Sequence, residues 1–163
     1  MARYVFADRW KVPLPPEDVY DLLAEPLRYP DWWRSFCLAA EGDAGPPRVG
    51  QSATLLTKGF LPYRLTFTVT ATALQRPARL CSRLQGHLRG AGDWRLWAVP
   101  GGTEGVLHLD VELGKPLERM LSPLLRPLFA ANHHWCMRRG EEEAARLGPM
   151  ALHGLAARAA APA

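Results

Sequence analysis

The chain has 163 residues, 48% of them hydrophobic and 22% charged, with a formal net charge of +4. That length suits one domain able to bury roughly 70% of its unfolded surface, and the composition excludes global disorder. No uncharged apolar stretch reaches the ~20 residues of a membrane-spanning helix. The N-terminus lacks the apolar core of a signal peptide, and three widely spaced cysteines, Cys37, Cys81 and Cys136, point to reduced thiols in a cytoplasmic protein.

Residues 4–12 alternate. Tyr4, Phe6, Trp10 and Val12 share one strand face, with Arg3, Arg9 and Lys11 on the other. Asp8 is discordant, because its parity puts it on the apolar face. A proline cluster follows, and Pro16-Glu17-Asp18 suits a helix start, with acids at the positive end of the helix dipole. Val19, Leu22 and Leu23 continue at helical spacing until Glu25-Pro26 stops the helix. Pro30-Asp31 opens a second short helix carrying Trp32, Trp33 and Phe36. Glycines and prolines at 42–50 mark a loop.

Strands are predicted at 49–58, 62–76, 78–85, 88–99 and 103–113. The clearest, Arg64–Thr72, sets Leu65, Phe67, Val69 and Ala71 inward and a threonine row outward, so one face is buried and one is wet. The next clear strand places Trp94, Leu96 and Ala98 opposite Asp93, Arg95 and Trp97. Pro100-Gly101-Gly102-Thr103 is a hairpin turn. The last strand separates Leu107, Leu109, Val111 and Leu113 from His108, Asp110 and Glu112.

The period then changes. Leu117, Leu121, Leu124, Leu128 and Trp135 form a helical stripe, with Pro123 and Pro127 predicting a kinked or separate first turn that Ser122 can cap. Gly140 alone interrupts the helix from 128 to 147, Glu142 and Arg146 are spaced for an ion pair, and Gly148-Pro149 ends it. The folded domain is therefore expected over 1–148, with 149–163 a disordered tail. The order predicts an α+β fold: an antiparallel sheet of about seven strands, two short helices after the first strand, and one long C-terminal helix covering the apolar face.

Between Asp43 and Asp93 the chain carries Arg48, Lys58, Arg64, Arg76, Arg79, Arg83 and Arg89 and no acid. The plainer expectation is a solvated basic face; attraction to an anionic membrane surface or an acidic ligand is the alternative. No nucleic-acid-binding motif accompanies the run, so no nucleic-acid partner is expected.

The segments Trp10–Val19, Tyr29-Pro-Asp-Trp-Trp33, Leu61-Pro-Tyr-Arg-Leu65, Gly90-Ala-Gly-Asp-Trp94 and Asn132–Glu141 resemble, in that order, the bacterial polyketide cyclase/dehydrase-like branch of the START-like (SRPBCC, helix-grip) superfamily. The resemblance runs over residues 3–148. It implies a curved sheet gripping the long helix around a deep cavity for lipids, sterols, polyketides, plant hormones or aromatic compounds. Only some members are enzymes, and no catalytic residue carries over.

If such a cavity exists, inward positions supply its wall: Trp10, Phe36, Leu55, Phe67, Trp94, Leu96, Leu109, Phe129, Asn132, His133 and Met137. Each of the apolar ones could equally be plain core. Asn132 and His133 interrupt the apolar helix face and need partners. The plain expectation is that they pin the helix to the sheet; the sharper one is that His133 points into the cavity to orient a ligand or act as general acid or base. Asp8 is the other catalytic candidate. A bulge turning it to solvent is the plainer expectation; burial would raise its pKa. His108-Leu-Asp110-Leu-Glu112 imitates a metal site, but its face should be solvent. No metal and no cofactor are expected. Cys136 reads as a buried helix residue.

The leading functional expectation is binding or carriage of a small hydrophobic molecule without chemistry. A polyketide-type cyclase, aromatase or dehydratase using the same cavity is the alternative, and a peripheral membrane lipid handler is a third.

Overall fold

The computed structural model describes residues 3–115 and 123–148. The elements run β1 (Arg3–Val12), α1 (Pro16–Ala24), a 3-10 turn (Pro26–Arg28), α2 (Tyr29–Trp32), β2 (Cys37–Gly42), β3 (Ser52–Lys58), β4 (Arg64–Gln75), β5 (Arg79–Gly86), β6 (Leu88–Val99) and β7 (Gly102–Leu113), then a second 3-10 turn (Pro123–Leu125) and the long helix α3 (Arg126–Ala145). The seven strands form one sheet in the order β1-β7-β6-β5-β4-β3-β2. Every neighbouring pair is antiparallel. First and last strands pair, so both ends of the described fold meet at one side of the sheet, where α3 lies against β1.

The alternation in β1 and β4 is what the structure builds on. Tyr4, Phe6, Asp8, Trp10 and Val12 are all buried, and the residues between them are exposed. On β4, Leu65 and Phe67 are buried, while the outward row pairs hydroxyls across to β3: Ser52 with Thr70 at 2.7 Å and Thr54 with Thr68 at 2.8 Å. The β4–β5 register shifts between Ala71 and Ala73. This bulge at Thr72 adds one residue, bends the strand, and lets Leu74 follow Ala71 toward the helix side. β2 escapes pattern reading because Cys37-Leu-Ala-Ala-Glu-Gly neither alternates nor carries a β-branched residue; its pairing with β3 makes it a strand.

The described leucines of the stripe, Leu124 and Leu128, do not cover the sheet. Leu124 is 86% exposed and Leu128 43%; Leu117, Leu121 and Ser122 lie outside the described residues, as do 149–163. The buried face of α3 is Phe129, Asn132, Cys136, Met137, Gly140 and Ala144. At Gly140 this face needs a glycine because the helix backbone comes close to Trp33. A Cβ at Gly140 would sit 2.4 Å from Trp33 Cε2, and the Trp33 indole N–H donates to the Cys136 carbonyl at 3.1 Å. Acids on the second half of α3 complete the docking: Glu141 accepts the Lys11 N–H at 2.7 Å, and Glu143 accepts the Ser35 hydroxyl at 2.7 Å. Glu142 pairs with Arg139 at 3.2 Å rather than with Arg146, which caps the helix beyond its last residue.

Two members of the acid-free basic run find acids outside it. Arg76 grips Asp21 of α1 with two hydrogen bonds of 2.8 and 2.9 Å, and Arg79 grips Asp93 of β6 with two of 3.1 Å. Among the described residues no helix is long and apolar enough to cross a membrane.

Candidate functional site

Between the sheet and α3 lies a cavity of about 710 Å³. The sheet supplies an apolar wall that includes Leu55, Phe67, Val69, Leu84, Trp94 and Leu109. Tyr29, Trp33 and Phe36 close one end, and α3 contributes His133, Cys136 and Met137. The exposed lining residues Asp43–Pro47, together with Glu25–Arg28, frame the mouth. Glu25 and Arg28 pair there at 2.7 Å. Further in, Tyr29 donates its hydroxyl to the Leu23 carbonyl at 2.6 Å. Burial pushes its pKa well above the usual phenol range, so it stays neutral.

Of the positions expected to form the wall, Phe36, Leu55, Phe67, Trp94, Leu109, His133 and Met137 line the cavity. Trp10, Leu96, Phe129 and Asn132 do not. Trp10 stands behind the wall, its ring 4.9 Å from that of Trp94 and 5.5 Å from that of Trp33. Leu96 is buried in the same core, and Phe129 packs against Tyr4 at 4.6 Å. Strand parity and helical phase give the buried side of an element; they do not say whether that side meets a void or a neighbour.

Asn132 pins the helix. Its Oδ1 accepts the Leu61 N–H at 3.2 Å. The β3–β4 loop comes so near that a Cβ at Gly59 would lie 2.1 Å from Asn132 Oδ1. His133, one residue on, lines the cavity and is fixed from behind by Asp8.

No bulge turns Asp8 outward. β1 pairs with β7 residue by residue, and Asp8 is 8% exposed. Its two oxygens accept from two adjacent imidazoles: His133 Nε2 at 2.6 Å and His134 Nδ1 at 2.8 Å. The Phe6 ring stacks on His133 at 4.0 Å and meets His134 edge-on at 5.6 Å. The expected rise in the Asp8 pKa is reversed. Burial pushes the carboxyl up, but hydrogen bonds and charge from His133, then His134, outweigh it and the net shift is downward. With Nε2 donating to Asp8, a neutral His133 keeps Nδ1 as an acceptor.

His134 went unnoticed in the pattern. The signal was there, a second imidazole beside His133 and an acid of inward parity on β1, but 126 residues separate the partners. In the His108–Asp110–Glu112 row, Arg3 holds both oxygens of Asp110, and His108 is exposed.

A family model described as polyketide cyclase / dehydrase and lipid transport matches residues 6–142. The chain belongs to this family. Several solved structures share the fold at low identity. TTHA0849 from Thermus thermophilus aligns over 88% of this chain and 97% of its own with a TM-score of 0.65 at 19% identity. CV1439 from Chromobacterium violaceum aligns over 88% and 96% with a TM-score of 0.63 at 15% identity. The di-domain ARO/CYC BexL of the BE-7585A biosynthetic pathway aligns over 87% of this chain but 50% of its own, at TM-score 0.61 and 17% identity. No curated protein matches significantly. The architecture, a seven-stranded antiparallel sheet with a long C-terminal helix and two short helices after β1, is the helix-grip fold.

Proposed function

We propose that this polyketide cyclase/dehydrase-family protein binds a small hydrophobic molecule between sheet and α3 and carries it without chemical change. The cavity carries this reading: about 710 Å³ walled mostly by aliphatic and aromatic side chains, within the ~300–1,000 Å³ of small-molecule sites. Burying ~300 Å² of apolar ligand surface is worth roughly 7 kcal/mol before ordering costs, enough for a micromolar ligand without a charged anchor. His133 is the one imidazole among the lining residues. It supports a ligand with a single hydroxyl or carbonyl near the helix end of an otherwise apolar skeleton.

Native mass spectrometry of the purified protein tests this, with displacement of an apolar fluorescent probe by lipids, aromatic polyketides and fatty acids. A co-purifying or competing hydrophobic molecule at one per chain is the expected result. A chain that stays bare and ignores every probe would sink the reading.

One observation favours a second reading. His133 is oriented by a buried carboxylate at 2.6 Å, the arrangement that holds an imidazole in one tautomer for general acid–base work. In that reading the family's cyclase chemistry operates here, with His133 as base. Turnover of a linear polyketide analogue that is lost in His133→Gln, with analogue binding retained, separates it from simple carriage.

A further inference from the structure

We propose that Asp8, His133 and His134 form a site for one divalent transition-metal ion of the zinc class, set between the cavity and solvent. Their donor atoms lie within 4.8 Å of one another. The set is two imidazoles and one carboxylate, which suits zinc, cobalt, nickel or copper rather than calcium or magnesium. Three protein ligands leave a fourth position open on a tetrahedral ion.

Three features distinguish this cluster from a chance meeting of polar side chains. Asp8 is 8% exposed and sits on the apolar face of β1, and its partners are two imidazoles with no lysine or arginine among them. The two imidazoles already stabilise the buried Asp8 carboxylate, and a divalent ion between the three donors would add a full positive charge beside it. The rings are also held before any ion arrives. Phe6 stacks on His133 at 4.0 Å and abuts His134 at 5.6 Å, while successive positions on α3 carry the two imidazoles. Finally, the cluster opens on both sides. The His134 side chain is 54% exposed, which gives an entry path, and His133 lines the cavity.

To bind through these nitrogens, each neutral ring gives up the proton that faces Asp8 and takes one on its other nitrogen by exchange with solvent, so the proton count is unchanged. The two hydrogen bonds to Asp8 then give way to metal–ligand bonds of ~2.0–2.2 Å. The inference is independent of which hydrophobic molecule the cavity takes. It does compete with the base role of His133, since a metal-bound Nε2 no longer donates to Asp8.

The test uses untagged, chelator-treated full chain. Equilibrium dialysis with zinc should give one ion per chain with half-saturation at or below ~10 µM near neutral pH. Cobalt should produce the visible absorption of a tetrahedral N/O site, and zinc should raise Tm. His134→Ala alters an exposed side chain and is expected to keep its circular dichroism while weakening zinc at least about tenfold. His108→Ala should bind as wild type. No stoichiometric uptake at ~100 µM zinc, unchanged affinity in His134→Ala, or an equal loss in His108→Ala would each overturn the site.

Discussion

Asp8 Oδ2 and His133 Nε2 lie 2.6 Å apart and join the first strand to the last helix across 125 residues of chain. Folding lowers the Asp8 pKa below its ordinary value of 3.8. A lowered folded-state pKa means that the ionised carboxylate stabilises the fold above that ordinary value. The contribution is then lost as pH falls from there through the depressed value. Asp8→Asn should therefore cost about 1–3 kcal/mol near neutrality and flatten the acid limb of stability. Denaturant melts near pH 7 and at about pH 3 measure both effects. Parallel acid limbs in variant and wild type would refute the assignment.

Gly140 is a helix-interior glycine, where alanine would ordinarily be better by up to about 1 kcal/mol. Here the added methyl would meet the Trp33 ring at 2.4 Å. Gly140→Ala is expected to destabilise by about 1–3 kcal/mol instead, through overpacking. Thermal and urea unfolding decide the sign. A more stable variant would mean that α3 and Trp33 are not in this contact.

Leu109 lines the cavity and is only half-buried, so it has room on its ligand side. Leu109→Trp should fill part of the void and weaken an apolar probe about tenfold or more while leaving Tm within a few degrees. Fluorescence titration with calorimetry reads both. Equal probe affinity would place the ligand elsewhere.

Burial pushes the Cys37 thiol up to about 11 and that of Cys136 up to about 12. A raised thiol pKa removes thiolate at moderate pH, so both should resist alkylation near pH 8, where on the order of one thiol in a thousand or fewer is ionised. Cys81, half-buried and less shifted, should react first. Peptide mapping after iodoacetamide treatment gives the order, and the rates at Cys37 and Cys136 should climb as pH rises toward 11. Labelling of Cys136 at the speed of a free thiol would contradict its burial on the inner face of α3.

Much of the fold was legible. Residues 4–12 and 64–72 alternate cleanly, Pro16-Glu17-Asp18 marks a helix start, and the long helix begins after a separate turn at Pro123. β2 was not legible, because its six residues become a strand through pairing with β3. Nor was the docking face of α3. Leucines make the more obvious stripe, but the buried face runs through Phe129, Cys136, Gly140 and Ala144, and the close approach to Trp33 demands a glycine at 140. For the site, seven of the eleven expected wall residues reach the cavity. Trp10, Leu96, Phe129 and Asn132 face neighbours instead.

The sequence by itself determined the order of elements, the fold class and the inward parity of Asp8, because backbone geometry ties side-chain direction to position within a strand or helix. The tertiary structure decided which polar groups meet. His133 and His134 reach Asp8 because α3 lies across β1, an arrangement set by the close packing of Gly140 on Trp33 and by the hold of Asn132 on the β3–β4 loop. Periodicity is a local property of the chain. The distance between residues 8 and 133 is a property of how a helix docks on a sheet, and no local pattern encodes it.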